Sequence, residues 1–376
     1  LKFDGLQIGS FFATMGIASL FMPAVMGIIA DRWIPAQRLL GLCHLFAAGF
    51  ITLAATRTDY NSLYTLVLLS VMFYMPTIAL SNSVAYNALE KAGLDTVTHF
   101  PPIRVWGTVG FICAMWVVDL GKMGLSATQL YFSATLGLIL GLYSFTLPNC
   151  PINRSGGGKS IVDLLGLRAF ALFKQRKMAI FFIFSMLLGM SLQITNAFAD
   201  GYIKSFGDTG IHGAKYLGTF GVEHSTILIS LSQISETLCI LLIPFFLKRF
   251  GIKRVMLIAM FAWVLRFALL GAGNPGPGVW MFILSMIVYG VAFDFFNISG
   301  SLFVEKETSA AIRSSAQGVF MIMTNGLGAL IGSYLAGWVV NHYGWPLSWY
   351  LFAGFSLVVA IVFAVIFKYK HDPNRI

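Results

Sequence analysis

Four short runs set ionisable or amide side chains among residues otherwise apolar enough for a bilayer interior: Phe100-Pro-Pro-Ile-Arg-Val-Trp-Gly-Thr108, Leu192-Gln-Ile-Thr-Asn196, Ser232-Gln-Ile-Ser-Glu236 and Phe293-Asp-Phe-Phe-Asn297. A charge in hydrocarbon is costly, so such a residue faces a bundle interior or a watery cavity and marks a path for solute or protons. Residues three, four or seven apart share a helical face. That rule groups Arg104 with Thr108 and Phe111, Gln193 with Asn196, Gln233 with Glu236, and Tyr289 with Phe293, Asp294 lying alongside. Amides donate and accept, carboxylates accept from hydroxyls, and aromatic faces pack on flat rings. The set suits a polar, ring-bearing solute.

The plainer readings of the same residues are also physical. Glutamine and asparagine in membrane helices often serve only as hydrogen-bonding glue between helices, and in a chain that is 15% aromatic a single Phe or Tyr is ordinarily packing. Arg104, Glu236 and Asp294 carry more weight, because a charge buried without a role is hard to explain. Arg266 falls well inside an apolar segment, where a structural ion pair with an interior carboxylate is expected ahead of snorkelling outwards. Asp31 and Arg32, at a basic turn, fit a conformational latch better than a solute contact, and His44 fits an interior hydrogen bond better than a proton relay. A nucleoside offers what the stripes would bind: an amide-like base edge, a flat ring and vicinal hydroxyls. A sugar would use the polar groups but has less need of the aromatics.

These residues must be positioned by membrane helices. The 376 residues are 57% hydrophobic and 11% charged, with mean hydropathy +0.80, whereas soluble domains average about 25% charged residues. Since a spanning helix needs about 20 apolar residues, the chain divides into eleven segments: 7–30, 39–55, 63–89, 103–120, 130–147, 178–206, 226–247, 255–270, 279–304, 316–340 and 347–367. The class is an all-α polytopic membrane protein. The net charge of +10 would suit nucleic acid if it clustered on a soluble face, but the basic residues sit in short loops, so no nucleic-acid partner is expected. Eighteen of the 25 Lys and Arg fall in loops on one side, and the positive-inside rule makes that side, with the C-terminus, cytoplasmic.

Pro23-Ala-Val-Met-Gly-Ile-Ile-Ala-Asp-Arg32 and Pro244-Phe-Phe-Leu-Lys-Arg-Phe-Gly-Ile-Lys253 are alike, which predicts two halves. The second half has a helix ahead of its copy and the first does not, so a further helix before Leu1 is expected. The predicted organisation is an N-terminal lobe 1–147, a cytoplasmic linker 148–177 and a C-terminal six-helix lobe 178–376. In the linker, Ser155-Gly-Gly-Gly-Lys-Ser160 lacks the first glycine and the upstream strand of a phosphate loop, and 161–173 has an amphipathic pattern suited to the membrane surface. Cys43, Cys113, Cys150 and Cys239 have no metal-site or disulfide spacing. No catalytic constellation is readable, so neither enzyme activity nor a cofactor is expected.

The runs Phe100–Phe111, Leu192–Asn196, Ser232–Thr237 and Tyr289–Gly300, with Val304-Glu-Lys306 and Ser315-Ala-Gln-Gly318, closely resemble those of the nucleoside:H+ symporter family of the major facilitator superfamily. The resemblance covers nearly the whole chain. It implies a two-lobed bundle, eleven spanning helices here of an expected twelve, that imports nucleosides such as uridine with protons across the bacterial inner membrane as a lipid-embedded monomer. The residues it implies at the substrate are Arg104, Thr108, Phe111, Gln193, Asn196, Gln233, Glu236, Tyr289, Phe293 and Asp294, with Glu236 or Asp294 carrying the proton. Xanthosine selectivity, a sugar or drug carrier, and a non-transporting nucleoside receptor are the alternatives.

Overall fold

A computed structural model describes residues 3–94, 96–152, 167–209, 214–308 and 313–369. Lipid offers the backbone no hydrogen-bond partners, so a chain this apolar must satisfy its N–H and C=O groups within helices. The described residues accordingly form helices and turns, without a strand. In chain order these are α1 Gly5–Arg32, α2 Ala36–Ala54, α3 Tyr60–Lys91, α4 Thr96–Leu120, α5 Thr128–Ser144, a 3-10 segment Leu167–Lys174, α6 Arg176–Ser205, a single turn Phe220–Glu223, α7 Ser225–Ala272, α8 Val279–Glu307, α9 and α10 Leu347–Ile366. Helix α9 begins as Arg313–Met321, passes through a π-helical stretch Ile322–Gly328 and continues as Ala329–Tyr343. The Ser155–Ser160 glycine run and the first part of the predicted amphipathic segment lie outside the described residues.

Local signals set the helix starts. Asp4 and Gln7 form a capping box on α1, and Asp59 caps α3 by accepting from the Ser62 N–H at 2.9 Å. Hydrogen bonds from Ser62 hold the exposed Asp59 carboxyl below its ordinary pKa, so this cap is lost only as pH falls through that lowered value. Pro23, Pro76 and Pro244 lie within α1, α3 and α7, as membrane helices tolerate when neighbouring groups satisfy the freed carbonyls.

Nine helices among the described residues have the length and hydropathy of a span. One of them, α7, is 48 residues long, about 72 Å at ~1.5 Å per residue and so twice the thickness of a bilayer core. It counts as two crossings, because at Gly251 the backbone leaves the helix with φ 76° and ψ 166°. Helix α5, with 17 residues, completes the eleven crossings expected from the sequence. The loop expected between 247 and 255 is reduced to that one buried glycine. A side chain is strained in this region by about 1–3 kcal/mol, so Gly251→Ala is predicted to lower the thermal unfolding midpoint in detergent; an unchanged midpoint would refute the strain argument.

The buried apolar residues fall into two clusters. The larger joins α6 to α10, around side chains such as Phe181, Trp263, Phe267, Phe303 and Trp349. The smaller joins α1, α2 and α3 around Met22, Leu40, Cys43 and Leu80. Gln37 ties α2 to the chain beyond α5: its amide donates to Asn149 Oδ1 at 2.7 Å and accepts the Cys150 N–H at 2.9 Å. Helix α4 belongs to neither cluster, with only 6% of its spanning window buried.

The first half of the chain meets the second along a seam between α1 and α9. Gly5, Gly9 and Gly16 let the two backbones approach so closely that a Cβ on Gly9 would run into the Ser333 carbonyl, and one on Gly16 would lie 2.6 Å from the Leu330 nitrogen. Gly337 is equally tight against Gly5.

Candidate functional site

Most of the site expected from sequence comes together where α6, α7 and α8 face α4. On α8, Tyr289 is 5% exposed and stacks on Phe293 one turn later, ring centroids 5.9 Å apart at 20°. Asp294, next along the helix, is 3% exposed, and its Oδ2 is buried without a hydrogen-bond partner. Glu236, half-buried on α7, interacts electrostatically with both Asp294 and Tyr289. Asn196, exposed on α6, lies close to the Tyr289 side chain. From the other half of the chain, Arg104 on α4 is exposed and lies within electrostatic reach of Glu236. Its guanidinium folds back over Gly107, where a Cβ would collide with Nη1.

The remaining expected residues flank this group. Thr108 is half-buried and Phe111 is 53% exposed on the Arg104 side of α4. Gln233 is half-buried one turn before Glu236. Gln193 departs from the shared stripe with Asn196: it is 7% exposed and its Nε2 is buried without a partner, whereas Asn196 is open. An unpartnered buried amide is an unmet donor that a ligand or water can satisfy.

Two features lie outside the set expected from the sequence. A cleft adjoining Phe293 is lined by Leu188, Leu192, Trp263, Asn297, Thr324 and Asn325, among others. Thr324 and Asn325 are polar residues in the apolar segment 316–340, so the rule that singled out the four runs would have found them. The second feature corrects an expectation. Arg266 has no carboxylate partner among the described residues. Its Nε and Nη2 donate to Thr195 Oγ1 at 3.1 and 2.9 Å, Nη1 donates to the Ser285 carbonyl at 2.6 Å, and the guanidinium lies 4.7 Å from the Tyr289 ring centre. Neutral oxygens and a ring face replace the ion pair.

Polar contacts between the two halves gather at the end of the bundle away from the basic turns. Asp119, ending α4, pairs with His224 Nδ1 at 2.6 Å and accepts the Thr226 N–H at 3.2 Å. The Thr226 hydroxyl reaches Asp200 at 3.4 Å, and Asp200 also holds Lys204 at 2.6 Å and Ser225 at 2.6 Å. Trp116 Nε1 donates to Ser230 at 2.9 Å, and Asn341 Oδ1 accepts the Gly5 N–H at 2.6 Å. Toward the basic end, α7 and α8 leave an open recess lined by Ile240, Ile243, Pro244, Leu247, Lys248, Ile298 and Leu302. Asp119→Asn keeps the shape but removes the charge of a nearly buried carboxylate. It is expected to raise labelling of a cysteine at that end by a membrane-impermeant thiol reagent several-fold, as the closed population falls; unchanged labelling would show that the pair does not hold the end shut.

The arrangement can take up a polar aromatic solute between two halves of a membrane bundle, with two acids and one guanidinium at hand. Among the described residues no cluster of His, Cys, Asp and Glu could hold a metal. A family model described as nucleoside H+ symporter matches residues 1–372. The nucleoside permease NupG of Escherichia coli (strain K12) is 51% identical over 378 residues, covering 99% of this chain and 90% of that protein. The xanthosine permease of the same organism is 49% identical over 383 residues, covering 100% and 91%. A crystal structure of nucleoside transporter NupG superposes with TM-score 0.90 at 51% identity, covering 98% of this chain and 92% of the other. That of a D-xylose-proton symporter superposes with TM-score 0.70 at 14% identity, covering 99% and 89%, a likeness of fold alone. With a family model across nearly its whole length and relatives at half identity, this chain, a major facilitator superfamily bundle and a membrane transporter rather than an enzyme, belongs to the nucleoside H+ symporter family.

Proposed function

We propose that this protein imports nucleosides together with protons across the bacterial inner membrane by alternating access, working as a monomer with its basic loops and C-terminus in the cytoplasm. The observation that carries the reading is the group of Asn196, Glu236, Tyr289 and Asp294, facing Arg104 across the two halves of the chain. The lobes are 1–147 and 178–376, joined by the linker 148–177.

In this reading the aromatic pair Tyr289 and Phe293, with Phe111 opposite, packs on the base. Gln193, Asn196, Gln233 and Thr108 supply donors and acceptors to its edge. Asp294 and Glu236 accept the ribose hydroxyls. The Asp294 Oδ2, an acceptor without a donor, is met in turn by a proton and by a substrate hydroxyl, which links the two. Arg104 balances Glu236 while the site is empty. In this reading the contacts around Asp119 and along the α1–α9 seam belong to a state shut toward the outside and open to the cytoplasm, and rocking of the lobes exchanges it for its opposite.

The test is uptake of labelled uridine and adenosine into cells lacking their own permeases, with and without a protonophore. Protonophore-sensitive accumulation of either supports the reading. Absence of both would overturn it as stated, and xanthosine and then sugars would be tried next.

A further inference from the structure

We infer that Arg266 is a positioning residue for nucleoside recognition, holding Tyr289 and the Asn196 turn in their binding geometry from behind the site. The inference rests on the function proposed above. Arg266 is 2% exposed and is among the largest fully buried side chains. Its guanidinium ties together three elements. Thr195, which takes two of its hydrogen bonds, immediately precedes Asn196 on α6. Ser285, whose carbonyl takes another, lies one turn before Tyr289 on α8 and returns a bond from its own hydroxyl to the Arg266 carbonyl at 3.1 Å. The ring of Tyr289 itself lies against the cation, 4.7 Å away. Each residue that Arg266 touches is therefore a site residue, a sequence neighbour of one, or on the preceding turn.

Cost argues that the charge has a use. Taking a cation out of water is expensive, and a tie among three helices could be built from neutral amides or apolar packing at less expense. What a guanidinium adds is a planar fork that fixes two acceptors at once, and a positive face for an aromatic ring. The face meets Tyr289, whose side chain lies close to Asn196, Glu236 and Asp294, and the fork holds Thr195, the residue before Asn196. With the ring held from one side by the cation and the Asn196 turn held through Thr195, the two meet the solute as one preorganised unit. Preorganisation of this kind shows as affinity, because the ordering cost is met before the ligand arrives.

The experiment compares uridine binding to the purified protein in detergent, the KM and maximal rate of uptake in vesicles, and the thermal midpoint, for wild type, Arg266→Met and Thr195→Val. Arg266→Met keeps the bulk and removes the charge. It is expected to weaken uridine binding and raise KM by about tenfold, with the maximal rate little changed and the midpoint equal to or above that of wild type. Wild-type affinity in this variant, or a loss of affinity only in step with a lowered midpoint, would overturn the inference. Should Arg266→Met not fold, Thr195→Val decides, since it removes the oxygen shared by two of the guanidinium's bonds. A several-fold weaker KM at unchanged maximal rate supports the positioning role, and wild-type KM sinks it. Wild-type protein that binds no nucleoside would overturn the proposed function and this inference together, whereas normal wild-type binding with unaffected variants would overturn the inference alone.

Discussion

Asp294→Asn is expected to reduce concentrative uridine uptake by about 10–100-fold, the worth of one lost hydrogen bond to a charged group of roughly 1.5–3 kcal/mol. The carboxyl is 3% exposed, and one of its oxygens is buried without a donor. The amide keeps the volume but cannot exchange a proton, and its NH2 points a donor where an acceptor stood. Glu236→Gln is expected to fall in the same direction by less, because Glu236 is half-buried and faces the Arg104 charge. Counterflow separates the roles. If either variant exchanges labelled for unlabelled uridine across vesicles yet no longer accumulates it against a gradient, that residue carries the proton. Full accumulation by both variants would refute the coupling scheme.

Gly9→Leu is expected to abolish uptake while leaving uridine binding in detergent within a few-fold of wild type. Against the α9 backbone even a Cβ at this position would meet the Ser333 carbonyl, and an isobutyl group needs far more room. Backbone carbonyls cannot rotate away as side chains do, so the seam must part. Overpacking costs about 1–3 kcal/mol, and when that cost falls on only one of two exchanging states it shifts their ratio by roughly 5–150-fold. The proposed substrate contacts lie on α4, α6, α7 and α8, so binding by the open state is spared. Gly9→Ala should give a graded, smaller loss. Wild-type uptake by Gly9→Leu would mean that α1 and α9 need not close.

How much was legible beforehand depended on whether the signal was local. Eleven crossings followed from hydropathy, since lipid leaves the backbone little choice but helix, and the interior charges stood out for the same reason. The turn between the two limbs of α7 was drawn too long, because Lys248, Arg249, Lys253 and Arg254 look like a loop in sequence while a single glycine accomplishes the reversal. Shared-face spacing grouped Tyr289 with Phe293 correctly. It could not see that Gln193 is buried while Asn196 stays open, a difference set by tertiary packing and not by spacing along one helix. The partners of Arg266 were out of reach for a related reason: Thr195 and Ser285 are ordinary hydroxyl residues, and only the fold brings them to one guanidinium. Nothing local links Asp119 to His224, and their pairing across the two halves is a tertiary fact.

Helix α4 is barely gripped along its length, yet it carries Arg104 at one station and Asp119 at another, with no proline between them. At ~1.5 Å per residue the two stand about 22 Å apart on one stiff rod. Such a rod is a lever. A tilt of some 10° about the Asp119 contact would sweep Arg104 through about 4 Å over that arm, enough to make or break its hold on Glu236 without any residue between them changing conformation. Releasing the far end and freeing the acid are then a single rigid displacement seen at two places, and the stroke is set by the length of the helix.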